Sequence, residues 1–118
     1  EWYTVLKAFA TQDPNGNGQN DELPFVGNSN EQMGVYRLGA LFGFNACFYK
    51  EYACSVLDGK ITFASEAPQF EDYITTMARW YAEGLIDPEY ASTDATSWQE
   101  KVLKLIFAEW RLLIRTSI

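Results

Sequence analysis

The sequence predicts a mainly α-helical chain with one small β-hairpin. Apolar residues recur at helical spacing over residues 2–12, over 68–84 and again after Asp94. Between the first two stretches, Asp58-Gly59 separates two short apolar segments, which is a strong signal for a two-residue hairpin turn. The chain has 118 residues, of which 47% are hydrophobic, so it is large enough to form a core. We therefore expect one structural unit over residues 1–118.

The first predicted helix covers residues 2–12. Trp2, Val5, Leu6 and Phe9 lie at positions i, i+3, i+4 and i+7, so they share one apolar face. No Ser, Thr, Asp or Asn precedes the helix, so it has no obvious side-chain N-cap. The aromatic residues at helical spacing are expected in the core, and they are Trp2, Phe70, Tyr73, Trp80 and Trp98.

Residues 13–22 have the residue types and spacing of a calcium-binding loop. Oxygen-bearing side chains occur at every second position, and Gly18 stands where the EF-hand loop has its invariant glycine. The pattern fails at the twelfth position, where Pro24 replaces the bidentate Glu. The predicted ligands are the side chains of Asp13, Asn15, Asn17, Asp21 and Glu22 and the backbone carbonyl of Gln19. We predict one structural calcium ion here.

Two other interpretations of this loop remain open. Asn, Gly, Pro and Asp also form ordinary polar surface turns, although such a turn does not require so many oxygen atoms in register. Magnesium is less suitable than calcium because it retains several waters and needs fewer protein ligands.

The next two elements are a second helix and the hairpin. Ser29 and Gln32 form a capping-box pattern before a predicted helix that ends at Gly43. The apolar residues that we expect to point inward on this helix are Val35, Leu38, Leu41 and Phe42. In the hairpin, the turn pairs Val56 with Ile61 and Cys54 with Phe63 on one apolar face, and Ser55 with Thr62 on a polar face.

The strongest helical signal begins at Pro68 and ends at Gly84. Proline suits a first helical position, and glycine is common just after a helix C-terminus. Pro88 then prevents the helix from continuing. A last helix is expected to begin near Asp94, with Trp98 and Val102 on one side.

Three sequence runs, in this order, resemble extracellular solute-binding proteins of ABC importers, of the carbohydrate-binding family 1 type. They are residues 12–25 (QDPNGNGQNDELPF), residues 58–70 (DGKITFASEAPQF) and residues 80–90 (WYAEGLIDPEY). The matched runs cover most of residues 2–102, whereas the apolar tail, residues 103–118, departs from the family pattern.

The resemblance implies both a fold and a function. The chain would be part of one lobe of a two-lobed, periplasmic-binding-protein-like (type II) α/β fold. The protein would bind a carbohydrate or oligosaccharide for an ABC permease in the membrane. It would be extracellular, as a cell-surface lipoprotein or a periplasmic protein. The alternative is a calcium-stabilised extracellular module that binds a partner protein.

Composition excludes several other functions. The sequence has no histidine, so His-dependent zinc sites and Ser-His or Cys-His nucleophilic pairs are impossible. The net charge of −7 disfavours nucleic-acid binding. No pair of carboxylates is marked as a glycosidase centre, although acidic residues are available at Glu66, Glu71, Asp72, Glu83, Asp87 and Glu89. We therefore expect a protein that is not an enzyme.

Aromatic side chains are the expected sugar contacts, because flat rings pack against the apolar face of a pyranose. The candidates that lie outside the helical stripes are Phe44, Phe48, Tyr49 and Tyr52. Cys47 and Cys54 would form a disulfide if the protein is exported. Alternatively, Cys54 is a buried thiol on the apolar face of the hairpin.

Overall fold

The structure is a computed structural model that describes residues 1–28, 34–46 and 54–103. Three α-helices lie within this part of the chain: α1 (Trp2–Thr11), α2 (Phe70–Ala82) and α3, which covers residues 95–103. Two antiparallel strands, β1 (Cys54–Leu57) and β2 (Lys60–Phe63), form the hairpin. Short 3-10 helices cover Val35–Phe42 and Ala64–Glu66. The predicted mixture of helices and one hairpin is confirmed.

Helix α1 begins at the predicted residue and ends at Thr11, one residue before the predicted end, but it has only part of the predicted burial. It begins at Trp2, and no side chain caps its N-terminus. Leu6 is buried, whereas Trp2, Val5 and Phe9 remain 54%, 59% and 39% exposed. The expectation that Trp2 belongs to the core is therefore wrong for this structure. Periodicity shows which residues share a face, but whether that face is covered depends on distant parts of the fold.

The predicted second helix is a 3-10 helix over Val35–Phe42. Val35 and Leu38 are buried as expected, whereas Leu41 is 43% exposed. Apolar residues at these positions are compatible with a period of either 3.0 or 3.6, so the sequence could not distinguish the two kinds of helix. Gly43 ends the segment with a φ of +80°, as predicted. The predicted capping box at residues 29–32 falls outside the described residues.

The hairpin has the predicted register, but its predicted apolar face is open. Val56 pairs with Ile61, and Cys54 pairs with Phe63. Val56, Ile61 and Phe63 are nevertheless 72%, 76% and 57% exposed. The opposite face of the hairpin contacts the segment after the 3-10 helix, because the hydroxyl of Ser55 accepts a hydrogen bond of 2.7 Å from the backbone N–H of Asn45.

Helix α2 provides the centre of the core. It begins at Phe70, so Pro68 lies in the preceding turn and not at the first helical position. Tyr73, Met77 and Trp80 are buried along one side of the helix. The full set of buried hydrophobic residues is Leu6, Val35, Leu38, Phe44, Ala46, Ala64, Ala67, Tyr73, Met77, Trp80, Leu85 and Ile86.

Helix α3 begins where the sequence predicted. The carboxylate of Asp94 accepts a hydrogen bond of 2.8 Å from the backbone N–H of Ser97, which is the expected N-cap contact. Trp98 is half-buried. Within the described part of the chain, no helix has the length and hydrophobicity needed to cross a lipid bilayer.

Candidate functional site

The predicted calcium loop is organised around the carboxylate of Asp13. Its two oxygens accept hydrogen bonds from the backbone N–H groups of Asn17 (3.0 Å) and Gly18 (2.8 Å). Asp13 itself has a φ of +43°, and Gly18 has a φ of +77°. Asp is one of the few residues that tolerate this left-handed region, and Gly adopts it without steric cost. These backbone angles allow the chain to curl around one side chain.

The side chains of Asn15 and Asn17 stabilise the loop further through hydrogen bonds to its backbone. The Asn15 side-chain oxygen accepts a bond of 2.9 Å from the backbone N–H of Asn17, and the Asn17 side-chain oxygen accepts one of 2.7 Å from the N–H of Gln19. The amide nitrogen of Asn17 lies 3.2 and 3.3 Å from the two carboxylate oxygens of Asp21. The loop therefore links the side chains of Asp13, Asn15, Asn17 and Asp21 through short contacts.

Glu22 is the predicted ligand with the most unusual environment. It is only 8% exposed, and neither of its carboxylate oxygens has a hydrogen-bond partner among the described residues. Burying an ionised carboxylate without a partner is costly. A cation bound to Glu22 would offset this cost.

The donor set suits calcium, which binds carboxylate, amide and carbonyl oxygens. In the described residues, however, the structure shows no group of three or more His, Cys, Asp or Glu side chains placed to hold a metal ion. Asp13, Asp21 and Glu22 therefore do not form such a group here. The Asp21 carboxylate instead accepts hydrogen bonds from the side-chain amide of Asn17. The calcium assignment stays a prediction.

The segment that follows the loop is held by two residues that lie much later in the sequence, Asp87 and Trp98. Residues 22–28, which we call the exit segment, form no helix or strand. The carbonyl of Phe25 accepts a bond of 2.9 Å from the backbone N–H of Asp87. The carbonyl of Val26 accepts a bond of 3.0 Å from the indole Nε1–H of Trp98. These contacts connect the candidate metal loop to the region between α2 and α3.

Asp87 is the buried member of an ionic network that the sequence did not reveal. Asp87 is 1% exposed, and its carboxylate contacts Lys101 Nζ at 2.6 Å and the backbone N–H of Glu89 at 2.9 Å. Lys101 also contacts Glu89 at 2.8 Å and Thr93 at 3.2 Å. The bond to Asp87, followed by that to Glu89, raises the pKa of Lys101. The Asp-Pro-Glu sequence signals a turn, but nothing in it points to Lys101.

A second polar cluster joins α1 to the end of α2. The Glu83 carboxylate accepts bonds from Tyr3 Oη (2.9 Å) and Lys7 Nζ (3.0 Å). The hydrogen bond from Lys7, followed by that from Tyr3, lowers the pKa of Glu83. Arg79 lies 5.0 Å from the centre of the Tyr3 ring, within cation–π range. Because α1 and the end of α2 are far apart in the sequence, residue spacing could not indicate this contact.

The predicted sugar contacts are only partly within the described residues. Phe44 is 4% exposed, and its ring packs edge-on against Tyr73 with a centroid distance of 5.6 Å. Its ring therefore has no open face here, and its role as a ligand contact stays a prediction. Phe48, Tyr49 and Tyr52 lie outside the described residues.

The proposed disulfide also involves a residue outside the described part, because Cys47 is not among the described residues. Cys54 is half-buried and has no disulfide partner among the residues that the structure describes. The pairing stays a prediction.

Two curated proteins are similar to this chain over most of its length. Lipoprotein LipO of Bacillus subtilis (strain 168) is 30% identical over 104 residues, which cover 88% of this chain and 20% of that protein. The fructooligosaccharide ABC transporter substrate-binding protein FusA of Streptococcus pneumoniae serotype 4 (strain ATCC BAA-334 / TIGR4) is 34% identical over 100 residues, 82% of this chain and 18% of that protein. The chain therefore spans about one fifth of the length of these relatives.

No protein-family profile and no solved structure matches the chain. The relatives bear out the expectation of a protein that is not an enzyme, since one is named as a substrate-binding protein and the other as a lipoprotein. They also agree with the family recognised from the three sequence runs. The two matches therefore support the interpretation of this chain as part of a solute-binding protein.

Proposed function

We propose that the chain is part of the substrate-binding component of an ABC transporter that takes up an oligosaccharide. The observation that carries this proposal is the 34% identity to a fructooligosaccharide-binding component over 82% of the chain. The aromatic content of 16% also suits sugar recognition. The full-length protein would present its ligand to a membrane permease from the cell surface, as a lipoprotein.

In this proposal, the described helices and hairpin form part of one lobe of a type II, two-lobed binding protein. Such proteins close two lobes around the ligand by a hinge motion. Enclosure removes water from both sides of the sugar, so each hydrogen bond contributes more than it would on an open surface. The aromatic region from Phe44 to Tyr52 would supply one wall of this site.

Calorimetric titration of the full-length protein with a panel of oligosaccharides tests the proposed function. Fructooligosaccharides and maltooligosaccharides of equal length form a matched pair in that panel, because they differ in sugar and linkage but not in size. Saturable heat with at least one oligosaccharide is expected. If every sugar gives only dilution heat while calcium still stabilises the protein, the interaction-module alternative replaces the transport function.

The proposed calcium ion has a structural role. Asp13, Asn15, Asn17, Asp21 and Glu22 would hold it through side-chain oxygens, and Gln19 through its carbonyl. The buried, unpartnered carboxylate of Glu22 supports this assignment. When bound, the ion would supply positive charge that neutralises neighbouring carboxylates. The ligand side chains would hold the turn formed by residues 13–18 close to Glu22, where the exit segment begins.

Chelation tests this calcium site. We expect EDTA to lower the melting temperature of the full-length protein and Asp13→Ala to abolish that effect, because ligands that bind only the folded state stabilise it. Asp72→Ala is the matched control, since Asp72 is an exposed acid on α2. A melting curve that is unchanged by both EDTA and Asp13→Ala contradicts a structural calcium ion.

A further inference from the structure

Three side chains, Val56, Ile61 and Phe63, form an apolar surface that we call the outer face of the hairpin. They are 72%, 76% and 57% exposed. The strand register places Val56 directly opposite Ile61, and Phe63 lies two residues farther along the same strand. Because strand side chains alternate with a period of two, all three point to the same side. They therefore form one patch and are not scattered surface residues.

The alternation along the strands differs from that of a hairpin with one face in water. Such hairpins place polar side chains outward and apolar side chains inward. Here the inner positions include Ser55 and Thr62, and Ser55 accepts a hydrogen bond from Asn45, whereas the outward positions are apolar. The residue pattern of this hairpin therefore suits a pair of strands that is covered on both faces.

The size of the hairpin also favours a covered outer face. Each strand has only four residues, and the described part of the chain contributes no third strand to the sheet. A two-stranded hairpin is only marginally stable in water, and it needs further strands or packing against its apolar face. The outer face offers the surface for such packing.

The area of the outer face indicates what kind of partner can cover it. Burying a Val, Ile or Phe side chain removes about 60–120 Å² of apolar surface from water, so the three together offer at most roughly 350 Å². A stable complex between separate proteins buries about 800 Å² on each partner. A segment of the same polypeptide does not need so large an area, because the connecting chain keeps it at a high effective concentration.

The relatives are long enough to supply such a segment. The match covers 20% of one relative and 18% of the other, so about four fifths of each lies outside the matched region. We infer that the outer face of the hairpin is an internal interface, which packs against an apolar surface from the part of the full-length protein outside this chain. This inference rests on the proposed solute-binding protein, but it does not depend on calcium or sugar binding.

Urea unfolding of the full-length Ile61→Thr variant tests this interface. Thr keeps the β-branched shape that strands favour but places a hydroxyl on the outer face. The equilibrium constant for unfolding should rise about tenfold or more, as for other polar substitutions of buried apolar residues. Lys60→Thr is the matched control, because it introduces the same residue at an exposed position of the same strand. Its unfolding constant should stay within about twofold of that of the unaltered protein.

Two results of this experiment would overturn the inference. Equal unfolding constants for Ile61→Thr and Lys60→Thr would mean that the outer face remains in water in the full-length protein. A loss of stability in Ile61→Thr that changes with protein concentration would assign the face to a second copy of the protein. Neither variant alters a predicted sugar contact or the loop, so the result is independent of the sugar and calcium titrations.

Hydroxyl-radical footprinting of the unaltered full-length protein provides a test that needs no variant, which matters if Ile61→Thr does not fold. The radical modifies a side chain in proportion to its exposure to water. If the outer face is covered, Phe63 should react many times more slowly in the folded protein than in an unfolded peptide of residues 60–66. A Phe63 ring that remained 57% exposed would keep more than half of the peptide's rate, and that result would contradict the inference.

Discussion

Replacing Lys101 with Met should destabilise the protein by leaving Asp87 buried without its cation. The carboxylate of Asp87 has a side-chain exposure of 2%, and Lys101 Nζ lies 2.6 Å from it. Removing one partner of a buried ion pair typically costs about 3–5 kcal/mol. Because Lys101 remains 21% exposed and Glu89 N–H still bonds Asp87, we expect a smaller loss. A loss of about 2 kcal/mol in the free energy of unfolding is the prediction.

Urea unfolding of the full-length protein measures this loss. Lys101→Arg keeps the charge and should restore most of the stability, whereas Lys60→Met is the control for removing an exposed lysine. The double variant Asp87→Asn with Lys101→Met should be more stable than Lys101→Met alone, because it leaves no buried unpaired charge. Equal stability of Lys101→Met and Lys60→Met would refute the importance of this pair.

The same pair predicts a dependence on alkaline pH. Its bonds to Asp87 and Glu89 raise the pKa of Lys101 above the usual 10.5. The contribution of Lys101 to stability is therefore fully present below pH 10.5 and is lost as the pH rises through the raised pKa of the folded state. The stability difference between the unaltered protein and Lys101→Met should narrow over that range.

Two further predictions concern other contacts. Glu83→Gln should reduce stability at neutral pH, and the difference should vanish as the pH falls below 4.5 through the lowered pKa of folded Glu83, a trend that urea midpoints between pH 6 and pH 3 will show. Gly39→Ala would place a Cβ 2.5 Å from the Cβ of Ala46 and 2.9 Å from its backbone nitrogen. It should cost about 1–3 kcal/mol by overpacking, and a urea midpoint equal to that of the unaltered protein would contradict the close approach.

Much of the local structure could be predicted because it depends on neighbouring residues. The Asp58-Gly59 turn determines the hairpin register, since strand side chains alternate with a period of two. Asp94 and Gly43 mark element ends because capping is a local hydrogen-bond and backbone requirement. The spacing of Asp13 and the asparagines agrees with a tight loop in which the side-chain oxygens of Asp13 and Asn15 both accept hydrogen bonds from the backbone N–H of Asn17.

Burial was harder to predict because it depends on what each face meets. The apolar faces of α1 and the hairpin have the expected residues, yet Val5 and Val56 remain exposed. Asp87 looks like an ordinary surface acid in the sequence but is buried, and the sequence did not indicate that Glu22 is buried. Their environments arise from contacts such as Asp87–Phe25, between residues that no sequence period relates.

Parallel sugar titrations of this chain and of the full-length protein test most directly whether the chain is one wall of a two-lobed site. One wall leaves the sugar largely hydrated, so each hydrogen bond contributes about 1 kcal/mol or less. Association itself costs roughly 4 kcal/mol or more in lost translational and rotational freedom. We predict saturable heat for the full-length protein and none for the 118-residue chain. Micromolar binding by the 118-residue chain alone would contradict the two-lobed account.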